Sequence, residues 1–132
     1  MTRHRRPFGL RDRRLRGAEA FSAVFRFRRV LRGDCVDLHL RPNGLDHARL
    51  GLVVPRRALA LAVRRNRCKR LLREVFRLNQ QDVAGLDLVA RVKKDCADDR
   101  LRAEFSRLLQ RARADMTPDP NFRADSSWTP NA

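Results

Sequence analysis

One stretch, residues 56–77, constrains the fold most strongly, because it is apolar and basic at once and the two characters are sorted by helical period. At about 100° per residue, its apolar and its polar side chains fall on opposite sides of a helix. The apolar side comprises Cys68, Leu71, Leu72 and Val75, and the polar side comprises Asn66, Lys69, Arg70, Arg73 and Arg77. The pattern predicts a helix that buries one side in a core and turns a row of cations outward.

The charge of this stretch indicates a polyanionic partner. Glu74 is the one acid within residues 56–77, and like charges spaced three or four residues apart on a helix repel. The whole chain has 31 Lys and Arg against 15 Asp and Glu in 132 residues, a formal net charge of +16. This balance favours nucleic acid as the partner, with an anionic membrane surface as the weaker alternative. Asn66 suits a ribose hydroxyl, a base edge or a helix cap.

Other features of the sequence limit the class of protein. No apolar run approaches the length of a membrane span, and the basic first residues lead into no secretory signal. The cysteines at positions 35, 68 and 96 are odd in number and far apart. We therefore expect neither a disulfide framework nor a zinc site, but three small buried or half-buried thiols in a reducing cytoplasm.

The chain shows no catalytic or metal-binding constellation of its own. It contains no glycine-rich nucleotide motif, no P-loop and no HExxH sequence, and its acids form no distinctive spaced pair. His4, His39 and His47 are not close to a motif-like serine or cysteine. A nuclease made of protein alone needs acids that hold metal or histidines for proton transfer. The sequence therefore predicts a protein that binds RNA and leaves the chemistry to another molecule.

Along the rest of the chain we predict a basic arm at 1–16, a domain at 17–115 and a disordered tail at 116–132. Helical spacing predicts helices at 17–29 and 98–114, on either side of the basic helix that continues to about residue 79. Strands are predicted at 35–41, 49–54 and 86–92, the second antiparallel to the first. The order α-β-β-α-β-α, with room for one further short strand, predicts an α/β two-layer sandwich.

Two phenylalanines, Phe21 and Phe25, lie one turn apart on the first predicted helix. Side chains with this spacing usually pack in a core. The alternative is an aromatic surface beside a basic groove, on which unpaired bases would stack.

The basic helix closely resembles the signature of the bacterial ribonuclease P protein component family. The matching segment is Leu59-x-x-Ala62-x-x-Arg65-Asn66-Arg67-Cys68-Lys69-Arg70-x-Leu72-Arg73-Glu74-x-Phe76-Arg77. Further likeness, in family order, lies in Phe21-x-x-Val24-Phe25, in residues 49–54 with the pair Arg56-Arg57, and in residues 86–91. Together these segments extend the resemblance over residues 8–114.

The resemblance implies a fold and a function. The fold is a small α/β sandwich similar to a ribosomal-protein domain, with a left-handed β-α-β crossover that breaks the usual right-handed rule. The function is removal of the 5′ leader from precursor tRNA in the cytoplasm by a ribonucleoprotein whose RNA subunit carries the catalytic site and its Mg²⁺. The protein would bind the catalytic RNA and the leader. A ribosome-associated or chaperone-type RNA-binding protein of the same fold is the alternative.

The family's functional residues carry over by position. The RNA-binding residues would be Arg56, Arg57, Arg65, Asn66, Arg67, Lys69, Arg70 and Arg73. Phe21, Phe25 and His39 would line the cleft for the leader, with His39 where the family often has a stacking aromatic residue. Cys68 stands where the family usually has a branched aliphatic residue, and we expect only a modest loss of packing there.

Overall fold

A computed structural model describes residues 13–116, which contain four strands and three helices. They are α1 (Ala18–Phe27), β1 (Val30–Leu31), β2 (Val36–Pro42), β3 (Arg49–Val53), α2 (Ala62–Asn79), β4 (Leu86–Val92) and α3 (Asp98–Met116). A short 3-10 helix, Gln80–Val83, follows α2. The predicted order of helices and strands is confirmed, with β1 as the further short strand.

The sheet has the strand order β1-β2-β4-β3. β2 pairs antiparallel with β4, from Val36 opposite Val92 to Pro42 opposite Leu86, and β3 pairs parallel with β4. β2 and β3 therefore run antiparallel, as predicted, but β4 lies between them. The apolar run of β4 explains its central place, because Leu88, Val89 and Ala90 are all fully buried and need cover on both faces.

Helices cover both faces of this sheet. α2 and α3 pack on one face, where Phe76 and Phe105 join the main core with Leu38 and Leu88. α1 packs on the other face, where Val24 meets Val89. The mixed α/β class is confirmed, and its three helices are divided between the two sides.

The connection from β3 through α2 to β4 joins two parallel neighbouring strands, the β-α-β unit that the resemblance implies. Its left-handed sense stays a prediction. Residues 56–58 form a turn rather than helix, and the Ala58 and Leu59 N–H groups donate to the Pro55 carbonyl at 3.0 and 3.1 Å. Leu59 is buried and α2 begins at Ala62, so the helical part of the basic stretch starts later than residue 56.

Two details near the start of the domain differ from the sequence-based expectation. α1 ends at Phe27, two residues earlier than predicted, because Arg28 adopts a left-handed conformation with φ of 63°. Residues 13–15, assigned above to the arm, run beside β3: Leu15 N–H donates to the Leu50 carbonyl at 3.0 Å, and Leu50 N–H donates to the Arg13 carbonyl at 2.6 Å. The rest of the arm and the tail from residue 117 lie outside the described residues.

The expectation of three free thiols is wrong, because Cys35 and Cys96 form a disulfide. Cys35 directly precedes β2 and Cys96 follows β4, its antiparallel partner, so a sequence separation of 61 residues becomes a Cα–Cα distance of 6.3 Å. Cys68 is a free, buried thiol on the apolar side of α2, as predicted, and burial raises its pKa to about 11.

Candidate nucleic-acid interface

The outer side of α2 carries a surface that we call the basic helix face, formed by Asn66, Lys69, Arg70, Arg73 and Arg77. These side chains and Glu74 line a shallow groove of about 470 Å³. Glu74 accepts a hydrogen bond from Arg77 at 2.8 Å. Within residues 13–116, Lys69, Arg70 and Arg73 have no acidic partner. Their charge therefore remains available to an external anion.

The inner side of α2 fixes this face rigidly. Cys68, Leu71, Leu72, Val75 and Phe76 are all buried, most of them fully, in the core shared with α3 and the sheet. The amphipathic pattern of the sequence is confirmed. A rigid helix lets several cations bind a polyanion without first losing backbone freedom.

Two other residues of the predicted RNA-binding set have intramolecular partners. Arg65 donates from Nη1 to the Leu59 and Ala60 carbonyls at 3.0 and 2.9 Å, so it holds the turn that precedes α2. Arg67 donates from Nε to Asp98 at 2.9 Å, although two thirds of its side chain remains exposed. The structure thus separates these two arginines from the unpaired cations of the basic helix face.

Arg64, absent from the predicted set, joins α2 to the start of α3. Its guanidinium contacts the Asp95 carboxylate at 2.9 Å, the Asp98 carboxylate at 3.1 Å and the Cys96 carbonyl at 2.7 Å. Hydrogen bonds from Arg67 and Arg64 lower the pKa of Asp98. No sequence signal pointed to this role, because its partners lie more than 30 residues away along the chain.

A second basic depression, the sheet groove, lies where β2 and β4 face outward beside the turn that follows β3. It has a volume of about 390 Å³. The cations and the histidine that line it are Arg32, His39, Arg57, Arg91 and Lys93. Asp37 is buried at its base and pairs with Lys93 at 3.2 Å and Arg32 at 3.5 Å. Within the described part of the chain Arg57 and Arg91 have no acidic partner, so the groove is positive overall.

Aromatic rings flank the sheet groove. The rings of Phe25 and His39 meet edge to face with their centroids 4.8 Å apart, and Phe25 is 36% exposed. Phe21 packs inward instead: a Cβ at Gly51 would lie 2.5 Å from its Cζ, so only glycine leaves room for the ring. The sequence left two alternatives for this pair. Phe21 packs against the sheet, as in the first alternative, whereas Phe25 forms an aromatic surface beside a basic groove, as in the second.

Burial, with help from Arg91 and Arg32, lowers the pKa of His39, against the opposing effect of Asp37. The imidazole is therefore neutral at pH 7 and presents an uncharged ring.

Sequence reasoning missed three members of the groove: Arg32, Arg91 and Lys93. Arg91 pairs with Asp37 in the sheet and so lies on the same face as His39, a register that the sequence did not show. Arg56 and Arg57 were predicted as a pair and are both exposed on the turn, but only Arg57 lines the groove.

Among residues 13–116 no group of three His, Cys, Asp or Glu side chains is placed to hold a metal ion. No helix in the same range has both the length and the apolar character to cross a membrane.

Comparison with known proteins shows which family the chain resembles. The family model for ribonuclease P matches residues 10–113. The ribonuclease P protein component of Pseudomonas putida is 43% identical over 121 residues, which cover 89% of this chain and 90% of that protein. Its counterpart in Pseudomonas aeruginosa is 46% identical over 105 residues, 76% of this chain and 78% of the relative.

Among solved structures, the RNase P protein from Thermotoga maritima superposes with a TM-score of 0.68 at 34% identity, covering 74% of this chain and 98% of the other. A protein with this match over almost its whole domain shares both the fold and the ancestry of those relatives. The chain therefore belongs to the ribonuclease P protein component family.

Proposed function

We propose that this chain binds the catalytic RNA of ribonuclease P and the 5′ leader of precursor tRNA, and so assists RNA-catalysed removal of the leader. The family match supports the ribonucleoprotein, and the names of the relatives favour it over a ribosome-associated or chaperone-type RNA-binding protein of the same fold. We propose the cytoplasm as its compartment, because precursor tRNA is made there.

The basic helix face is our candidate for the surface that binds the RNA subunit. Lys69, Arg70 and Arg73 project from one side of a rigid helix, and each cation that meets a phosphate releases counterions. The arginine guanidinium also forms two parallel hydrogen bonds to one phosphate. Asn66, on the same face, suits a ribose hydroxyl or a base edge, where an amide can both donate and accept.

The sheet groove is our candidate for the site that binds the leader. Single-stranded RNA is typically held by cations along its backbone and by rings that stack on its bases. Arg57 and Arg91 supply unpaired cations, while Phe25 and His39 supply ring surface. Ring stacking needs unpaired bases, which the leader supplies as a single-stranded extension at the 5′ end and which mature tRNA lacks at that end.

We assign the hydrolysis and its Mg²⁺ ions to the RNA subunit and the substrate. The buried or paired acids Asp37, Asp87 and Asp98 are each engaged by arginine or lysine, and they do not form a metal site. The protein's own contribution is therefore to bind, to orient and to offset the charge of two RNA molecules held close together.

The observation that carries this proposal is the row of unpaired cations on α2. Reconstitution tests it: the chain is mixed with its cognate RNA subunit and precursor tRNA at low Mg²⁺. We expect 5′ processing from the mixture and none from either component alone, because the protein supplies positive charge that would otherwise need more Mg²⁺. Processing by the protein alone, or no gain from adding it, would contradict the proposal.

A further inference from the structure

Asp98, the first residue of α3, lies between two arginines of α2. Its Oδ2 atom accepts from Arg67, whose Nε and Nη2 atoms lie 2.9 and 2.8 Å away. Its Oδ1 atom accepts from Nη1 of Arg64 at 3.1 Å. The bond from Arg67 is the largest cause that lowers the pKa of Asp98, so the carboxylate is charged at neutral pH. Each oxygen of one carboxylate therefore holds one arginine.

The two arginines differ in what else they contact. Arg64 also contacts the Asp95 carboxylate at 2.9 Å and the Cys96 carbonyl at 2.7 Å, and 24% of its side chain is exposed. Within residues 13–116, Asp98 is the one hydrogen-bonding partner of Arg67, and 67% of the Arg67 side chain is exposed. Asp98 occupies the Nε side of that guanidinium, so the N–H donors of Nη1 remain open. Arg64 thus joins two helices, whereas Arg67 turns a free edge to the outside.

Arg67 also borders the basic helix face. It lies three residues before Arg70, and side chains with this spacing are neighbours on the surface of a helix. An ion pair whose cation is so exposed contributes little to the stability of a fold. The main effect of Asp98 on Arg67 is therefore to determine where the guanidinium lies.

We propose that Asp98 is a positioning residue for RNA binding, which holds the Arg67 guanidinium beside the basic helix face with its Nη1 edge open to a phosphate of the RNA subunit. The inference rests on the proposed function of that face. An exposed arginine samples many rotamers, and a partner that binds it must order them. Asp98 orders the side chain before RNA arrives, and the open edge can donate two parallel hydrogen bonds to one phosphate.

Positioning and net charge predict opposite effects for Asp98→Asn. If net charge alone mattered, the loss of a negative charge near an RNA-binding surface would tighten binding. If Asp98 positions Arg67, the same variant binds RNA more weakly. The carbonyl of an asparagine is uncharged, so it holds a guanidinium less firmly than a carboxylate does.

The test measures the affinity of the full-length protein for its cognate RNA subunit. Asp99→Asn is the matched control, because Asp99 shares the first turn of α3, has a fully exposed side chain and changes the net charge equally. We expect Asp98→Asn to weaken binding by about threefold to tenfold, the effect of having to order one arginine side chain. Asp99→Asn should bind as tightly as the wild type or slightly more tightly.

A double-mutant cycle with Arg67→Gln separates positioning from a structural role. Because Asp98 acts through Arg67, Asp98→Asn should cause no further loss of affinity once Arg67 is glutamine. A residue that only stabilised the start of α3 would weaken binding equally in both backgrounds, and that result would overturn the inference. Arg64 keeps its contacts with Asp95 and Cys96 in every variant, so the junction between α2 and α3 retains its other bonds.

The outcomes distinguish this inference from the proposed function. If Arg67→Gln weakens binding while Asp98→Asn matches Asp99→Asn or binds more tightly than the wild type, positioning by Asp98 is wrong and the proposed function stands. If Arg67→Gln binds normally, the inference is also wrong, and the variant Arg70→Ala with Arg73→Ala then tests the basic helix face without it. Normal binding by that variant too would overturn the proposed function.

Discussion

His39 illustrates how a single residue's surroundings determine what it can contribute. Its ring lies against the edge of Phe25, and burial, Arg91 and Arg32 together hold its pKa below the ordinary value of 6.5 despite the nearby Asp37. At neutral pH the ring is uncharged and can stack on a base. In acid it gains a charge that attracts the phosphates of a leader.

We predict that His39→Phe keeps the preference for leader-bearing over mature tRNA within about twofold at pH 7–8, because stacking is tolerant of ring type. His39→Ala should reduce that preference by about 1–3 kcal/mol. As the pH falls below 6.5, the wild type should gain preference relative to His39→Phe, and the gain should begin late because the pKa is lowered. The measurement is the affinity ratio of the reconstituted enzyme at each pH. Parallel pH profiles for wild type and His39→Phe would contradict this role.

The same scale shows what the sequence could not predict. Residues 64, 65, 67, 70 and 73 are all arginines of one basic segment and read alike in the sequence. The structure separates them: Arg64 and Arg67 engage Asp98, and Arg65 engages the turn before α2, whereas Arg70 and Arg73 stay unpaired. The distinction depends on where α3 begins, which helical periodicity within the segment does not contain.

At the scale of elements, the junction between β4 and α3 connects the sheet to the basic helix. Cys96 is bonded to Cys35 before β2, and its carbonyl accepts a hydrogen bond from Arg64 on α2 at 2.7 Å. Glu104 on α3 is buried, and its Oε2 accepts hydrogen bonds from the Cys35 and Val36 N–H groups at 2.7 and 2.9 Å. These contacts fix α3, the junction and the first residues of β2 against one another.

We predict that reduction of the Cys35–Cys96 bond lowers the free energy of unfolding by about 2–4 kcal/mol, because the unfolded chain loses a long closed loop. The measurement is urea unfolding with and without a reducing agent. The double variant Cys35→Ala and Cys96→Ala should match the reduced wild type and should not respond to the reductant. A wild-type midpoint that the reductant leaves unchanged would contradict the prediction.

Local sequence patterns predicted the helices and strands well, but they predicted less well which strands lie next to each other in the sheet. The strands at 35–41, 49–54 and 86–92 and the amphipathic α2 follow from alternation and helical spacing. The insertion of β4 between β2 and β3, and with it the pairing of Cys35 with Cys96, depends on contacts between residues far apart in the chain. The burial of β4 on both faces was the available clue, since its run of apolar residues is typical of a central strand.

At the scale of the whole molecule, the described domain presents two positive surfaces on different sides of one sheet. The basic helix face lies beyond the layer of α2, and the sheet groove opens beside α1. The sequence predicted the first surface from its own periodicity, and the resemblance predicted an aromatic cleft. Three cations of the sheet groove, Arg32, Arg91 and Lys93, came only with the fold. Under the proposed function, this separation would let one small protein contact two RNA molecules at once.

We predict that the two surfaces can be disrupted independently of one another. The variant Arg70→Ala with Arg73→Ala should weaken binding of the RNA subunit and reduce the salt slope by about two, one for each lost phosphate contact. Once enough of this variant is added to saturate the RNA subunit, the reconstituted enzyme should prefer leader-bearing over mature tRNA as strongly as the wild type does. The variant Phe25→Ala with His39→Ala should bind the RNA subunit normally.

The most direct test is the ratio of affinities for leader-bearing and mature tRNA, measured with enzyme reconstituted from each of these two variants at saturating protein. For Phe25→Ala with His39→Ala, we predict a ratio reduced by about thirtyfold or more, since each of the two lost stacks costs about 1–3 kcal/mol. For Arg70→Ala with Arg73→Ala, we predict the wild-type ratio. An unchanged ratio in the first variant, or an equal fall in both, would contradict the assignment of the two surfaces to two RNAs.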